Sequence, residues 1–271
     1  MADGKHINSA ILSFAGRQFY FDDIDGADQV ASQIRAGTFE IPLPLMVMAH
    51  MTRMKGVFVD VGANSGLYTI LAAITDPDIS VLSFEPYPVV RDILNKNVLR
   101  NGLEGRVEIF GTALSNMVGE FPLYIPDDSH GLIETSCSLE STFKKQHKGS
   151  VNVKVTKLDL MNIVNPISVI KVDIEGHECS FLDGARKTIE HHRPVIFCEM
   201  LWGVDTKFYQ NFLPQMGYVD FRLREDIAIR DSITRFDVKS LNHALVPVDK
   251  LPVFYDCCRT HGIEVAESVV I

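Results

Sequence analysis

The chain has 271 residues, 46% of them apolar, which suits one large domain with a substantial core; its longest apolar run, 43–49, contains Pro44 and is far too short to cross a bilayer. A net charge of −9 opposes a polyanionic partner, and the densest basic stretch (Lys144, Lys145, His147 and Lys148) is too short to override it, so no nucleic acid is expected. Residues 1–10 are polar and carry no apolar signal region, and five cysteines (Cys137, Cys179, Cys198, Cys257, Cys258) match neither a zinc site nor a disulfide framework, which points to reduced thiols in the cytoplasm.

From Val57 onward, short β-rich runs alternate with helical patterns, as in a parallel sheet flanked by helices. The largely apolar run 57–61 reads as a strand buried on both faces, and Leu67, Ile70, Leu71 and Ile74 repeat at helical spacing after it. A second strand over 79–84 precedes a helix with Val90, Ile93, Leu94 and Val98 on one face; a third strand covers 107–109, with 112–114 just beyond. Extra strands are predicted over 120–125 and 151–155, around a polar loop, 127–150, long enough to be functional or mobile. Regularity returns with a strand over 169–173, a helix using Phe181, Leu182, Ala185 and Ile189, and a strand over 195–198 opened by Pro194. A helix near 207–213 and closing strands over 218–223 and 244–248 complete the pattern. The expectation is an α/β fold built on a doubly wound, mostly parallel sheet. Residues 1–55 form an N-terminal extension beside the cofactor or substrate, 56–250 the ligand-binding domain, and 251–271 a C-terminal tail.

The strongest single signal is Asp60-Val61-Gly62-Ala63-Asn64-Ser65-Gly66, between a buried strand and an amphipathic helix. Gly62 permits a sharp turn and close backbone approach, and Gly66 opens the helix and permits close packing or passage of a ligand. In a doubly wound sheet such a turn lies at the carboxyl end of a central strand, where ligands bind. The spacing lacks the G-x-G-x-x-G of pyrophosphate-binding turns, and Asp60 suits an ammonium group better than a phosphate. A cofactor with an amino-acid end therefore fits better than a dinucleotide. Glu85, nineteen residues after Gly66 at the end of the next strand, is placed to accept from both ribose hydroxyls of a nucleoside, with Pro86 covering the edge of its base. Further along, Lys171, Asp173, Glu175, His177 and Glu178 gather at another strand end, with Gly176 in the turn, and the next strand ends at Glu199.

These segments resemble the FkbM-type family of class I methyltransferases. The match rests on 58–66, Phe84-Glu85-Pro86, Ala113-Leu114-Ser115, 170–178 and Arg193-Pro194 through Glu199; it extends to Phe39-Glu40 upstream and runs from about residue 39 to 248. The resemblance implies a seven-stranded Rossmann-like methyltransferase sheet with an antiparallel closing strand. It also implies S-adenosylmethionine as cofactor, held by Glu40, Asp60, Gly62, Ala63, Asn64, Gly66, Glu85, Pro86, Ala113 and Asp173, and O-methylation of a hydroxyl on a sugar, glycan or polyketide-like small molecule. An N-methyltransferase, or a catalytically silent module that binds S-adenosylmethionine, are the alternatives, and an oligomer is compatible with either.

Methyl transfer from a sulfonium is an in-line displacement, so most catalysis comes from alignment, with a base adding about 10²–10⁴-fold for an alcohol acceptor. The candidates are Asp173 first, then His177 and Glu199, with Lys171 as ion-pair partner of Asp173 or donor to the acceptor oxygen. Glu178 reads either as a base or as a cap of the helix that begins there. The same carboxylates are ligands of the type Mg²⁺ or Ca²⁺ takes, but no acidic spacing demands a metal and none is favoured.

Overall fold

A computed structural model describes residues 9–22, 29–37, 39–127, 136–144 and 146–268. The chain begins with an antiparallel hairpin, β1 (Ser9–Phe14) and β2 (Arg17–Asp22), followed by helices α1 (Gln29–Ala36) and α2 (Leu43–Met54). The alternation expected from the sequence then appears: β3 (Val57–Val61), α3 (Leu67–Thr75), β4 (Ser80–Phe84), α4 (Pro88–Arg100) and β5 (Val107–Phe110). Between β5 and β9 (Ile167–Val172) the described chain makes a small sheet instead of a helix longer than one turn, from β6 (Thr112–Leu114), β7 (Gly119–Pro126) and β8 (His147–Thr156) in the order β6-β8-β7. After β9 come α5 (Glu178–Gly184), α6 (Arg186–His192), β10 (Val195–Glu199), α7 (Thr206–Met216), β11 (Tyr218–Arg224), β12 (Ile227–Asp231), β13 (Asn242–Pro247), α8 (Leu251–Thr260) and β14 (Glu264–Glu267).

The main sheet runs β14-β12-β11-β13-β10-β9-β3-β4-β5. Its five strands from β10 to β5 are parallel; β13 is antiparallel to β10 and to β11, and β12 is antiparallel to β11. Strand order reverses at β3, since β4 and β5 lie on one side of it and β9 and β10 on the other. A crevice therefore opens at the carboxyl ends of β3 and β9, where a doubly wound sheet binds its ligands. Side-chain alternation sorts the two faces. Phe58, Val169, Val195 and Phe197 pack with α2, α3, α4 and α8, whereas Val59, Val61, Ile170, Val172 and Ile196 pack with α5, α6 and α7.

Three expectations change. The sheet has nine described strands, not seven, and more than one antiparallel pairing, because β12 and β14 extend the edge beyond β11. Both are short and flanked by charged residues, so neither carries a strong strand signal. The helix expected through Phe181 and Ile189 breaks at Ala185, where Gly184 lies so close to Ser115 that a Cβ would collide with its carbonyl. The polar loop is shorter than 127–150: β8 starts at His147, so His147 and Lys148 sit in a strand, while 128–135 and Lys145 lie outside the described residues.

The first and last segments pack into the same core as the rest. Leu12, Phe21, Met46, Val47 and Phe254 join the cluster that contains Phe58 and Phe197. The hairpin is fastened to α4, where Asn97 Oδ1 accepts from the Asp22 N–H at 2.7 Å and Asn101 exchanges two hydrogen bonds with the Tyr20 backbone.

Candidate active site

The turn after β3 is shaped by what lies opposite it. Gly62 has φ +76°, and a Cβ there would collide with the Asp173 carbonyl, so the close approach it permits is between two turns. The Asp173 N–H donates to Val61 O at 3.1 Å, and the Gly62 and Ala63 N–H groups both donate to Phe84 O at 3.0 Å. The tips of β3, β4 and β9 are thus laced together by backbone. Gly66 plays a packing role: Leu94 of α4 fills the space a Cβ would need. Asn64 and Glu175 adopt positive φ (52° and 57°) without being glycine, and both border this crevice. Strain of this kind persists only where surrounding structure over-determines it, and it concentrates at ligand sites.

A cavity opens there, lined by Gly62, Asn64, Glu85, Pro86, Ala113, Asp173 and His177 among the residues expected from sequence. Val61, Phe84, Leu114, Leu123, Cys137, Leu139, Ile174 and Glu175 complete the wall. Glu85 is 7% exposed; its Oε2 accepts from the Asn64 N–H and its Oε1 from the Tyr87 N–H, each at 2.9 Å. Burial pushes its carboxyl up to about 7 despite these donors. Each oxygen retains a second lone pair, so Glu85 can still accept from a diol at the cavity floor.

Asp60, Glu40, Lys171 and Glu199 do not line this cavity. Alternation along β3 places Asp60 with Phe58 on the α2/α3 face, where it is wholly buried and its Oδ2 accepts from the Thr69 hydroxyl at 2.7 Å. Asp60, expected to contact a ligand ammonium, is thus turned toward Thr69 and away from the cavity. Ala63 and Gly66 likewise sit in the turn without facing the cavity. On the same face as Asp60, Lys171 is 5% exposed, donates to Asp173 Oδ2 at 3.0 Å and lies 4.9 Å from the Tyr68 ring centre. Tyr68 in turn donates to Glu40 Oε2 at 2.8 Å. Asp173 joins the two compartments: it lines the cavity and bonds both Lys171 and Glu199.

The carboxylates of this nest repel one another. Glu40, Asp60, Asp173, Glu175 and Glu199 interact with Lys171 or with one another; Lys171 is shared by three of them, and Lys144 acts on Glu175. Burial and the charges of Asp173 and Glu175 push Glu199 up to about 10, and burial with Asp173 pushes Glu175 up to about 7. Burial pulls Lys171 down, but Asp173, Asp60 and Glu40 outweigh it and hold the ammonium above its ordinary value. The proximity of Asp173 and Glu175 thus adds to burial in raising Glu199. Among the described residues no three or more His, Cys, Asp and Glu side chains are arranged to hold a metal ion.

His177 and Glu178, both candidates for the base, are already engaged. His177 is 5% exposed, with Nδ1 2.7 Å from Glu140 Oε1 and Nε2 2.9 Å from Ser115 Oγ, which leaves no ring nitrogen for an acceptor's proton. Glu178 Oε1 accepts from the N–H groups of Ile174 (3.0 Å) and Gly176 (3.2 Å), so it braces the turn after β9. Sequence reasoning missed Tyr68 and Glu140. Tyr68 sits among the buried residues of an amphipathic helix, and Glu140 lies in a polar stretch with no periodicity; neither position carries a local signal.

The family profile described as "Methyltransferase FkbM domain" matches residues 60–219, more than half of the chain. The chain belongs to the FkbM methyltransferase family. Among curated proteins it is 28% identical to "Methyltransferase sdnD" of Sordaria araneosa, over 46% of this chain and 59% of that protein. It is 24% identical to "Methyltransferase 1" of Beauveria bassiana, over 46% of this chain and 57% of that one. The chain thus spans less than two thirds of the length of the curated relatives it matches. A solved structure of a methyltransferase FkbM from Methylobacillus flagellatus is similar at 18% identity and a TM-score of 0.45, covering 69% of this chain and 42% of that one. No helix among the described residues is long and apolar enough to cross a membrane.

Proposed function

We propose that the chain is an S-adenosylmethionine-dependent O-methyltransferase acting on a hydroxyl of a sugar, glycan or polyketide-like small molecule. The observation that carries this reading is a cavity at the switch point of the sheet that sets Glu85 and apolar surface beside the carboxylates around Asp173. The donor set fits the cofactor: Glu85 accepts ribose hydroxyls, Pro86, Phe84, Ala113 and Leu114 offer apolar surface to the base, and the nest around Asp173 attracts a ligand that carries sulfonium and ammonium charges. Bound there, the cofactor would supply an electrophilic methyl group and a sulfur leaving group.

Asp173 is the base of choice. It is the one carboxylate that both faces the cavity and is held in place by Lys171 and Glu199. It takes the hydroxyl proton as the oxygen–carbon bond forms, while the Lys171 ammonium fixes its orientation. Gly62 and Asn64 keep the turn open beside it, and apolar Val61, Ile174 and Leu114 exclude water from the cavity.

Calorimetry with S-adenosylmethionine and S-adenosylhomocysteine tests the reading, followed by a screen of sugar, glycolipid and polyketide alcohols for S-adenosylhomocysteine release. We expect micromolar-range binding that weakens at least about tenfold in Glu85→Ala, since charged hydrogen bonds to the ribose are lost. A wild-type protein that ignores both sulfur compounds would overturn the proposal, and binding without turnover on any acceptor would reduce it to a cofactor-binding module.

A further inference from the structure

His177, Ser115 and Glu140 stand in the order of a hydrolytic triad: Ser115 Oγ lies 2.9 Å from His177 Nε2, and Nδ1 lies 2.7 Å from Glu140 Oε1. Ser115 is completely buried, so no carbonyl can reach its hydroxyl and the arrangement is not a nucleophile. Its use lies at the other end. Glu140 belongs to the stretch 136–144, and two residues of that stretch, Cys137 and Leu139, form part of the cavity wall with Glu85, Pro86 and Ala113. Several contacts hold this stretch in place. Ser138 exchanges backbone hydrogen bonds with Tyr124 of β7 (2.8 and 3.2 Å), and its hydroxyl donates to Glu175 O at 2.8 Å. Ser141 O bonds His147 Nε2 at 2.9 Å, Cys137 and Leu139 pack against the cluster of Ala113, Leu123, Val153 and Val155, and the His177–Glu140 bond adds a tie to the turn after β9, where a nearly buried imidazole meets a carboxylate whose side chain is 43% exposed.

On the reading that the cavity takes S-adenosylmethionine, we propose that His177 is a positioning residue: through Glu140 it fixes Cys137 and Leu139 as the wall that closes on the nucleoside base. The neutral imidazole with its proton on Nδ1 satisfies both partners at once, donating to Glu140 and accepting from the Ser115 hydroxyl. Leu139, Leu123, Ala113 and Leu114 give that end of the cavity the apolar surface a flat heteroaromatic ring requires. Ser115 sets the tautomer, His177 spans the gap, and Glu140 carries the wall. The insertion between β5 and β9 is tied to the turn after β9 by a bond that sequence distance conceals, 37 residues apart along the chain.

The test uses the full chain and two readouts that need no acceptor. One is the rate at which N-ethylmaleimide labels Cys137 in the free protein, with Cys179 as internal control; the other is the calorimetric Kd for S-adenosylhomocysteine. Glu140→Ala, at a half-exposed position that does not threaten folding, is expected to speed Cys137 labelling several-fold and weaken Kd roughly tenfold, the worth of one charge-assisted hydrogen bond. His177→Gln, whose amide reaches toward Ser115, should behave like Glu140→Ala. His177→Asn, whose amide nitrogen replaces Nδ1, should retain labelling and Kd near wild type. Unchanged labelling and Kd in Glu140→Ala, or loss in His177→Asn as large as in His177→Gln, would overturn the proposal. A wild-type chain that fails to bind S-adenosylhomocysteine would instead count against the function, while the labelling rates would still decide the role of His177.

Discussion

Two regions of this molecule bury charge, and they do so in opposite ways. In the antiparallel extension, Arg222 pairs with Asp231 and Asp237, and Arg224 pairs with Asp237 at 2.7 Å. Cations and anions match there: although burial works against it, Arg224 and Arg222 hold the Asp237 carboxyl below its ordinary range. At the carboxyl tips of the parallel strands, several carboxylates share Lys171, and Glu199 and Glu175 are pushed well above the ordinary range. The matched network closes the loop between β12 and β13 and needs nothing further. The other lies against a cavity. Buried charge by itself is therefore no mark of a site; mutually repelling charge beside open space is.

Substitutions can break this contrast. Asp173→Asn is expected to lower kcat by about 10²–10⁴-fold, the usual worth of a positioned base, with the Kd for S-adenosylmethionine little changed. Thermal melting of the same variant should show no loss of stability, because one of several repelling carboxylates has gone; a large destabilisation would mean that Asp173 belongs to the matched kind of network. Arg222→Ala should do the reverse. It leaves Asp231 buried without its main partner, which costs about 3–5 kcal/mol in a urea titration, yet cofactor affinity of the folded protein should be retained. Equal damage to binding would erase the distinction between the regions.

The smallest expected effect is one of pH. Burial and the charges of Asp173 and Glu175 raise the Glu199 carboxyl in the folded chain to about 10, from its ordinary value of 4.5. The unfolded state thus gains by releasing this proton across that window, so the stabilising contribution is full at acid pH and declines as pH rises. Melting temperature should therefore fall from about pH 6 to pH 9, and fall less steeply in Glu199→Gln. Identical slopes in the two proteins would show that Glu199 is not the strained partner of Asp173.

How legible these regions were in the sequence follows from how local their signals are. The glycine turn after β3, the acidic residue ending β4 and the carboxylate run after β9 are each encoded in a few consecutive residues, and the parallel alternation places all of them at one edge. Glu85, Gly62, Asn64, Pro86 and Ala113 accordingly meet in one cavity. Asp60 shows the limit: it belongs to the same motif, but its position in the pleat turns it toward Thr69. The matched network in the extension draws on residues 222 to 237, whose charges resemble those of any solvated loop until β11 and β12 pair and bury them.

By itself, the sequence determined the alternation of strands and helices and the residue types at the strand tips, because hydrophobic periodicity and turn composition act over a few residues. Only the tertiary structure decided which of those tips faces the cavity, that His177 is spoken for by Glu140 and Ser115, and that the sheet continues through β12 and β14. Those outcomes depend on side-chain direction and on contacts between segments far apart along the chain, and no short stretch of residues carries either.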